Sequence, residues 1–201
     1  MTRQRHPFRP GPAGGKISRT GWANAALVLF TVLVLVRAPT LRAGTLEPIP
    51  DAPPAPALRL ADPSGTVHDL SALAGSVVVV TFWATWCSPC LTEMPGMQRL
   101  LDSFSDQPFR ILAINDSEPR RRVERMVERL GVDFTVLLDA NGSAMSAWGI
   151  KVLPTSFLVD QAGRVRYRVV GPYDWDGETG EEVVEGLLRD KGSAARDSRP
   201  E

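Results

Sequence analysis

The 201 residues carry 23 lysines and arginines against 23 aspartates and glutamates, and 43% are hydrophobic. Balanced charge excludes the basic excess expected of a nucleic-acid binder. Two cysteines and two histidines (His6 and His68, far apart) exclude a closed four-ligand zinc site. At roughly 100–200 residues per domain, the chain holds one globular domain with appendages. Such a domain can bury a core without disulfide staples or a structural metal.

Residues 1–21 form a basic leader, with Arg3, Arg5, Arg9, Lys16 and Arg19 and no acid. The apolar run 22–36 follows, and the 17 uncharged residues from Thr20 to Val36 would make about 25 Å of helix at ~1.5 Å per residue. That is the short end of a membrane span, and flanking arginines can snorkel to cover the deficit. The basic leader places the N-terminus in the cytoplasm and the rest of the chain outside. The run reads as a transmembrane anchor or as the core of a secretory signal peptide. The anchor is preferred, because the cleavage candidates ending at Ala38 and Ala43 are both poor. Either way the domain is exported. Residues 37–56 contain six prolines and predict an extended, stiff linker. Residues 191–201 predict a disordered tail.

Residues 57–190 form the domain. Leu58–Leu60 and Thr66–Asp69 flank Asp62-Pro63-Ser64-Gly65 and predict a β-hairpin. Val77–Trp83 is an unbroken apolar run that suits a strand buried on both faces. A helix begins at Ser88, with Met94, Met97, Leu100, Leu101 and Phe104 on one stripe and a kink at Pro95. Phe109–Asn115 predicts a second buried strand. Pro119 opens a charged helix with Val123, Met126, Val127 and Leu130 at helical spacing, ended by Gly131. A strand at Thr135–Leu138 and a short helix around Ser143–Trp148 come next. Strands at Ser156–Asp160 and Arg164–Val170 are joined by a hairpin turn at Gln161–Gly163. A last helix spans Gly177–Arg189. The order predicts an α/β fold, a mixed central sheet with helices on both faces.

The only cysteines, Cys87 and Cys90, stand as Cys-x-x-Cys where the first buried strand meets the helix. A helix N-terminus carries partial positive charge and favours a thiolate at Cys87. Pro89 falls in the first turn, where its missing N–H costs little. Cys90, one turn on, can attack a mixed disulfide formed at Cys87. A purely stabilising disulfide is the weaker reading, since so short a loop removes little chain entropy. The placement between strand and helix makes this motif specific for dithiol–disulfide exchange.

The stretch from Val79 through Trp86-Cys87-Ser88-Pro89-Cys90 to Glu93-Met94-Pro95 resembles the active-site signature of the TlpA/ResA-like family of thioredoxin-fold thiol:disulfide oxidoreductases. The likeness continues through Leu137–Asp139, Trp148–Ile150, Leu153–Asp160 and Gly163. The extra helix between Asn115 and Asp139 matches that family's insertion. The resemblance implies a thioredoxin-like fold in an exported, often membrane-anchored enzyme. It implies Cys87 as the attacking and Cys90 as the resolving cysteine, Pro154 as a cis-proline beside them, and Glu93 as an acid that manages their protons. A solvated helix acid is the plain alternative for Glu93. Trp86 and Leu153 are candidate substrate-binding residues. The buried aspartate of ordinary thioredoxins, six residues before the first cysteine, is replaced here by Thr81. The Tyr173–Trp175 loop has no legible role.

The implied partners are protein disulfides or Cys-x-x-Cys-His sites, a membrane thiol–disulfide protein as electron donor, and the membrane itself, with no nucleic acid. No cofactor is expected beyond the redox-active cysteine pair. A peroxiredoxin-type peroxidase is disfavoured, because Ala84 stands where that site needs a hydroxyl three residues before its cysteine. A non-enzymatic Cu(I)-binding role at Cys87 and Cys90 lacks a nearby histidine.

Overall fold

The computed structural model describes residues 44–190. The basic leader, the apolar run 22–36, the first part of the linker and the tail 191–201 lie outside the described residues. Among the described residues no helix is long and apolar enough to cross a membrane.

The elements follow in chain order: β1 (Glu47–Pro48), β2 (Arg59–Ala61), β3 (Val67–Asp69), a 3-10 turn at Leu70–Leu73, β4 (Val77–Trp83), α1 (Ser88–Ser103), β5 (Phe109–Asp116), α2 (Arg120–Leu130), β6 (Thr135–Asp139), α3 (Ser143–Ala147), β7 (Thr155–Val159), β8 (Val165–Val170) and α4 (Glu178–Arg189). The strands make one sheet in the order β1-β8-β7-β4-β5-β6-β2-β3. β4, β5 and β6 run parallel, and the remaining neighbours are antiparallel. The expected mixed sheet is present, with the hairpin β2–β3 added at its edge through Ala61 and Leu138.

β4 is central because every one of its residues is buried. Period-two alternation sends Val77, Val79 and Trp83 to one face and Val78, Val80 and Phe82 to the other. The first face packs against Met94, Met97 and Leu100 of α1, Val123 of α2, and Val184, Leu187 and Leu188 of α4. The second face meets Trp148 and Ile150 beyond α3, and there Phe82, Trp148 and Phe157 form an aromatic cluster with centroids 5.1–6.5 Å apart. Both parallel crossovers therefore place their helices on one face, as right-handed connections require. α1 is continuous across Pro95, and α2 ends where Gly131 takes the left-handed conformation (φ 63°).

The linker differs from the plain spacer expected. Glu47–Pro48 pairs with Arg168 and Tyr167 of β8, and Pro54 bridges Arg164. Prolines in an edge strand lose only a donor that would face away from the sheet. The paired structure thus begins upstream of residue 57.

Candidate active site

The C-terminal ends of the parallel strands β4 and β5 open onto loops, the usual location for sites in such sheets. β4 ends at Trp83, and the Cys87 N–H donates to the Ala84 carbonyl (3.1 Å), closing a turn over residues 84–87. Cys87 then caps α1 in extended conformation, its sulfur accepting the Cys90 N–H at 3.3 Å. Cys87 and Cys90 are disulfide-bonded. They are 4% and 1% exposed, whereas Trp86 beside them is 66% exposed. Cys87 sits at the positive end of the helix and Cys90 within its first turn, as the motif predicts.

The Leu153–Pro154 peptide bond is cis. Thr155 pairs with Phe82, so Pro154 comes level with Trp83 at the same sheet end as the cysteines. Leu153 is partly buried between the two halves of the core, and Val152 before it is exposed.

Glu93 is no solvated helix acid. It is 8% exposed, and Oε2 accepts the Tyr173 N–H at 3.0 Å. Burial pushes its pKa up from 4.5 to about 8, against the opposing pull of Tyr173 and the Trp175 indole. That indole N–H lies close enough to favour the ionised carboxylate but does not meet it in good hydrogen-bond geometry. The Tyr173–Trp175 loop thus has a structural place. Trp175 is fully buried against Tyr173 (centroids 5.0 Å apart). The Gly171 N–H donates to the Pro154 carbonyl at 2.9 Å, and Asp176 pairs with Arg99 of α1 at 2.5 Å. One loop therefore touches both Pro154 and the carboxyl of Glu93.

Thr81 is buried on the α1 side of the sheet and accepts a hydrogen bond from Ser156 (2.8 Å). A hydroxyl pair occupies the position of the thioredoxin aspartate and satisfies itself without charge. Glu118, which the sequence reading passed over, binds Thr85 with both carboxylate oxygens. Its position in the loop after β5 was the available signal, since that loop shares the sheet end with the cysteines. Among the described residues no group of three or more His, Cys, Asp or Glu converges to hold a metal. A cavity of about 460 Å³ opens at the far end of β4, lined by Leu58, Leu70 and Val78, and takes no part in this site.

Residues 50–187 match the Redoxin family. The chain belongs to the Redoxin family. It is 39% identical over 117 residues to thiol-disulfide oxidoreductase ResA of Geobacillus thermodenitrificans, covering 58% of this chain and 67% of that protein. Against ResA of Bacillus subtilis it is 36% identical over 125 residues, covering 62% and 70%. A thiol:disulfide interchange protein of Chlorobium tepidum superposes with a TM-score of 0.61 at 27% identity, over 70% of this chain and 99% of that one. StoA from Bacillus subtilis superposes with a TM-score of 0.55 at 25% identity, over 67% and 97%. The fold is thioredoxin-like, and this Redoxin-family protein is a thiol-disulfide oxidoreductase.

Proposed function

We propose that the protein is an extracytoplasmic reductase of protein disulfides, working through Cys87 and Cys90. The observation that carries this reading is a cysteine pair bonded across the first turn of α1, with a buried carboxyl one turn further on. The Cys87 thiolate attacks one sulfur of a substrate disulfide and displaces the other as a thiolate. The Cys90 thiolate then attacks the Cys87 sulfur, closing Cys87–Cys90 and releasing the second substrate thiol. Glu93, in its ionised form, takes the Cys90 proton. A carboxyl whose pKa burial raises to about 8 is a stronger base than an ordinary carboxylate, which favours that transfer. Trp86 and Leu153, beside Pro154, receive the substrate chain.

Disulfides formed at Cys-x-x-Cys-His sites of apocytochromes c, or at metal-chaperone cysteines, are the proposed substrates. A membrane thiol–disulfide protein restores the dithiol, and the run 22–36 anchors the chain with its domain outside the cytoplasm. The peroxidase alternative stays weak, since Ala84 is buried and offers no hydroxyl to a peroxide. Reduced protein mixed with an oxidised Cys-x-x-Cys-His peptide should yield one free peptide dithiol for each Cys87–Cys90 disulfide formed. Rapid thiol loss to hydrogen peroxide with an inert peptide would overturn the reading in favour of a peroxidase.

A further inference from the structure

The active-site turn is held from outside its own segment. Thr85, between Ala84 and the exposed Trp86, donates its N–H to Glu118 Oε2 (2.6 Å) and its hydroxyl to Oε1 (2.5 Å). Oε2 also accepts the Asn115 side-chain amide at 2.9 Å, and Arg122 stands 3.6 Å from Oε1. The Glu118 side chain is only 6% exposed. Burial alone would raise its pKa, but the two Thr85 bonds, Asn115 and Arg122 outweigh that and hold it below the ordinary carboxylate range. A carboxylate receiving several charge-assisted hydrogen bonds is a stiff anchor. Among the described residues, Asn115 Oδ1 and the Trp83 indole N–H are buried without hydrogen-bond partners, although Asn115 and Trp83 are paired in register on β5 and β4.

The Cys87 end of the turn is fixed by its bond to Ala84, by the Leu91 N–H on its carbonyl and by the disulfide, whereas Thr85 is held by Glu118. Trp86 makes no hydrogen bond or ring contact among the described residues, and its indole lies largely in water. A large exposed aromatic side chain beside a reactive cysteine is a platform for a partner when its backbone is fixed, because little freedom is then lost on docking. We infer that Glu118 is a positioning residue that clamps the Ala84–Cys87 turn through Thr85 and so holds Trp86 ready for polypeptide disulfide substrates.

Glu118 thereby discriminates between substrates. A polypeptide disulfide uses the Trp86 platform, and a small disulfide meets only the Cys87 sulfur. The inference rests on disulfide exchange at Cys87 and not on the proposed physiological substrate, and activity of the unaltered protein in the same assay controls for that. The test compares reduction of insulin with reduction of hydroxyethyl disulfide, with folding checked by circular dichroism. Glu118→Ala removes both Thr85 bonds and should slow insulin reduction at least about tenfold, the scale of a single charge-assisted hydrogen bond, and leave the small disulfide within about twofold. Glu118→Gln can still accept the Thr85 N–H and should stay within about threefold of the parent on insulin. In a Trp86→Ala background, Glu118→Ala should cause no further loss, because both changes then remove the same platform. If Glu118→Ala does not fold, Thr85→Val removes one of the two clamp bonds and should give the same selective loss at smaller amplitude. Equal losses on both disulfides, no loss in a folded variant, or a loss that persists without Trp86 would each overturn the inference.

Discussion

At pH 7 a carboxyl with a pKa of about 8 is mostly neutral, so Glu93 sits in the fold largely uncharged. Between 4.5 and about 8 the native state holds a proton that the unfolded chain has released. Its contribution to stability is therefore full below 4.5 and is lost as pH rises towards 8, with a slope of at most about 1.4 kcal/mol per pH unit. Glu93→Gln keeps the shape and removes the titration. Denaturant midpoints measured across this range should show the parent falling relative to the variant as pH rises, and parallel curves would count against the buried-acid account. The same variant should slow closure of the Cys87–Cys90 disulfide in stopped-flow reduction of a model disulfide. An unchanged closure rate would leave Glu93 a structural residue only.

Among the elements, the loop 171–177 carries the contacts that were hardest to foresee. Its link to Glu93 is a backbone N–H from Tyr173, eighty positions away in sequence, and a backbone donor leaves no residue-type signature. Gly180, in the first turn of α4, packs so closely on the Trp175 carbonyl that an added Cβ would overlap it. Gly180→Ala should cost about 1–3 kcal/mol, the scale of overpacking a filled core. Because Trp175 must shift, the Glu93 titration should move as well. A variant of parent stability and unchanged titration would show that α4 does not hold this loop. By contrast, β4 was legible at both ends, since an apolar β-branched run buried on both faces has one reading. The start of α1 and both ends of α2 were legible too, marked by Ser88 after Cys87 and by Pro119 and Gly131. The pairing of Glu47–Pro48 with β8 was not, because proline composition predicts extension but not which edge an extended segment will join. Cys87, Cys90 and Pro154 could be found from motif and resemblance, whereas the Glu118 clamp depends on a contact between two loops thirty-three positions apart.

For the whole molecule, one face of the sheet is sealed by α1, α2 and α4, and the chemistry gathers at the end where β4, β5 and the Pro154 loop meet. This layout leaves Trp86 and Val152 facing outward at that end. If residues 22–36 anchor the full chain, cell fractionation should leave it in the membrane pellet after a high-salt wash. A processed, freely soluble form would remove the anchor while preserving export. In the proposed exchange Cys87 attacks and Cys90 resolves, and trapping of the mixed disulfide separates the two roles. Cys90→Ser incubated with an oxidised peptide or protein should accumulate a mixed disulfide at Cys87, identified by mass spectrometry and released by dithiothreitol. Cys87→Ser should accumulate none. Adducts on Cys90 in the Cys87→Ser protein, with none on Cys87 in the Cys90→Ser protein, would contradict the account.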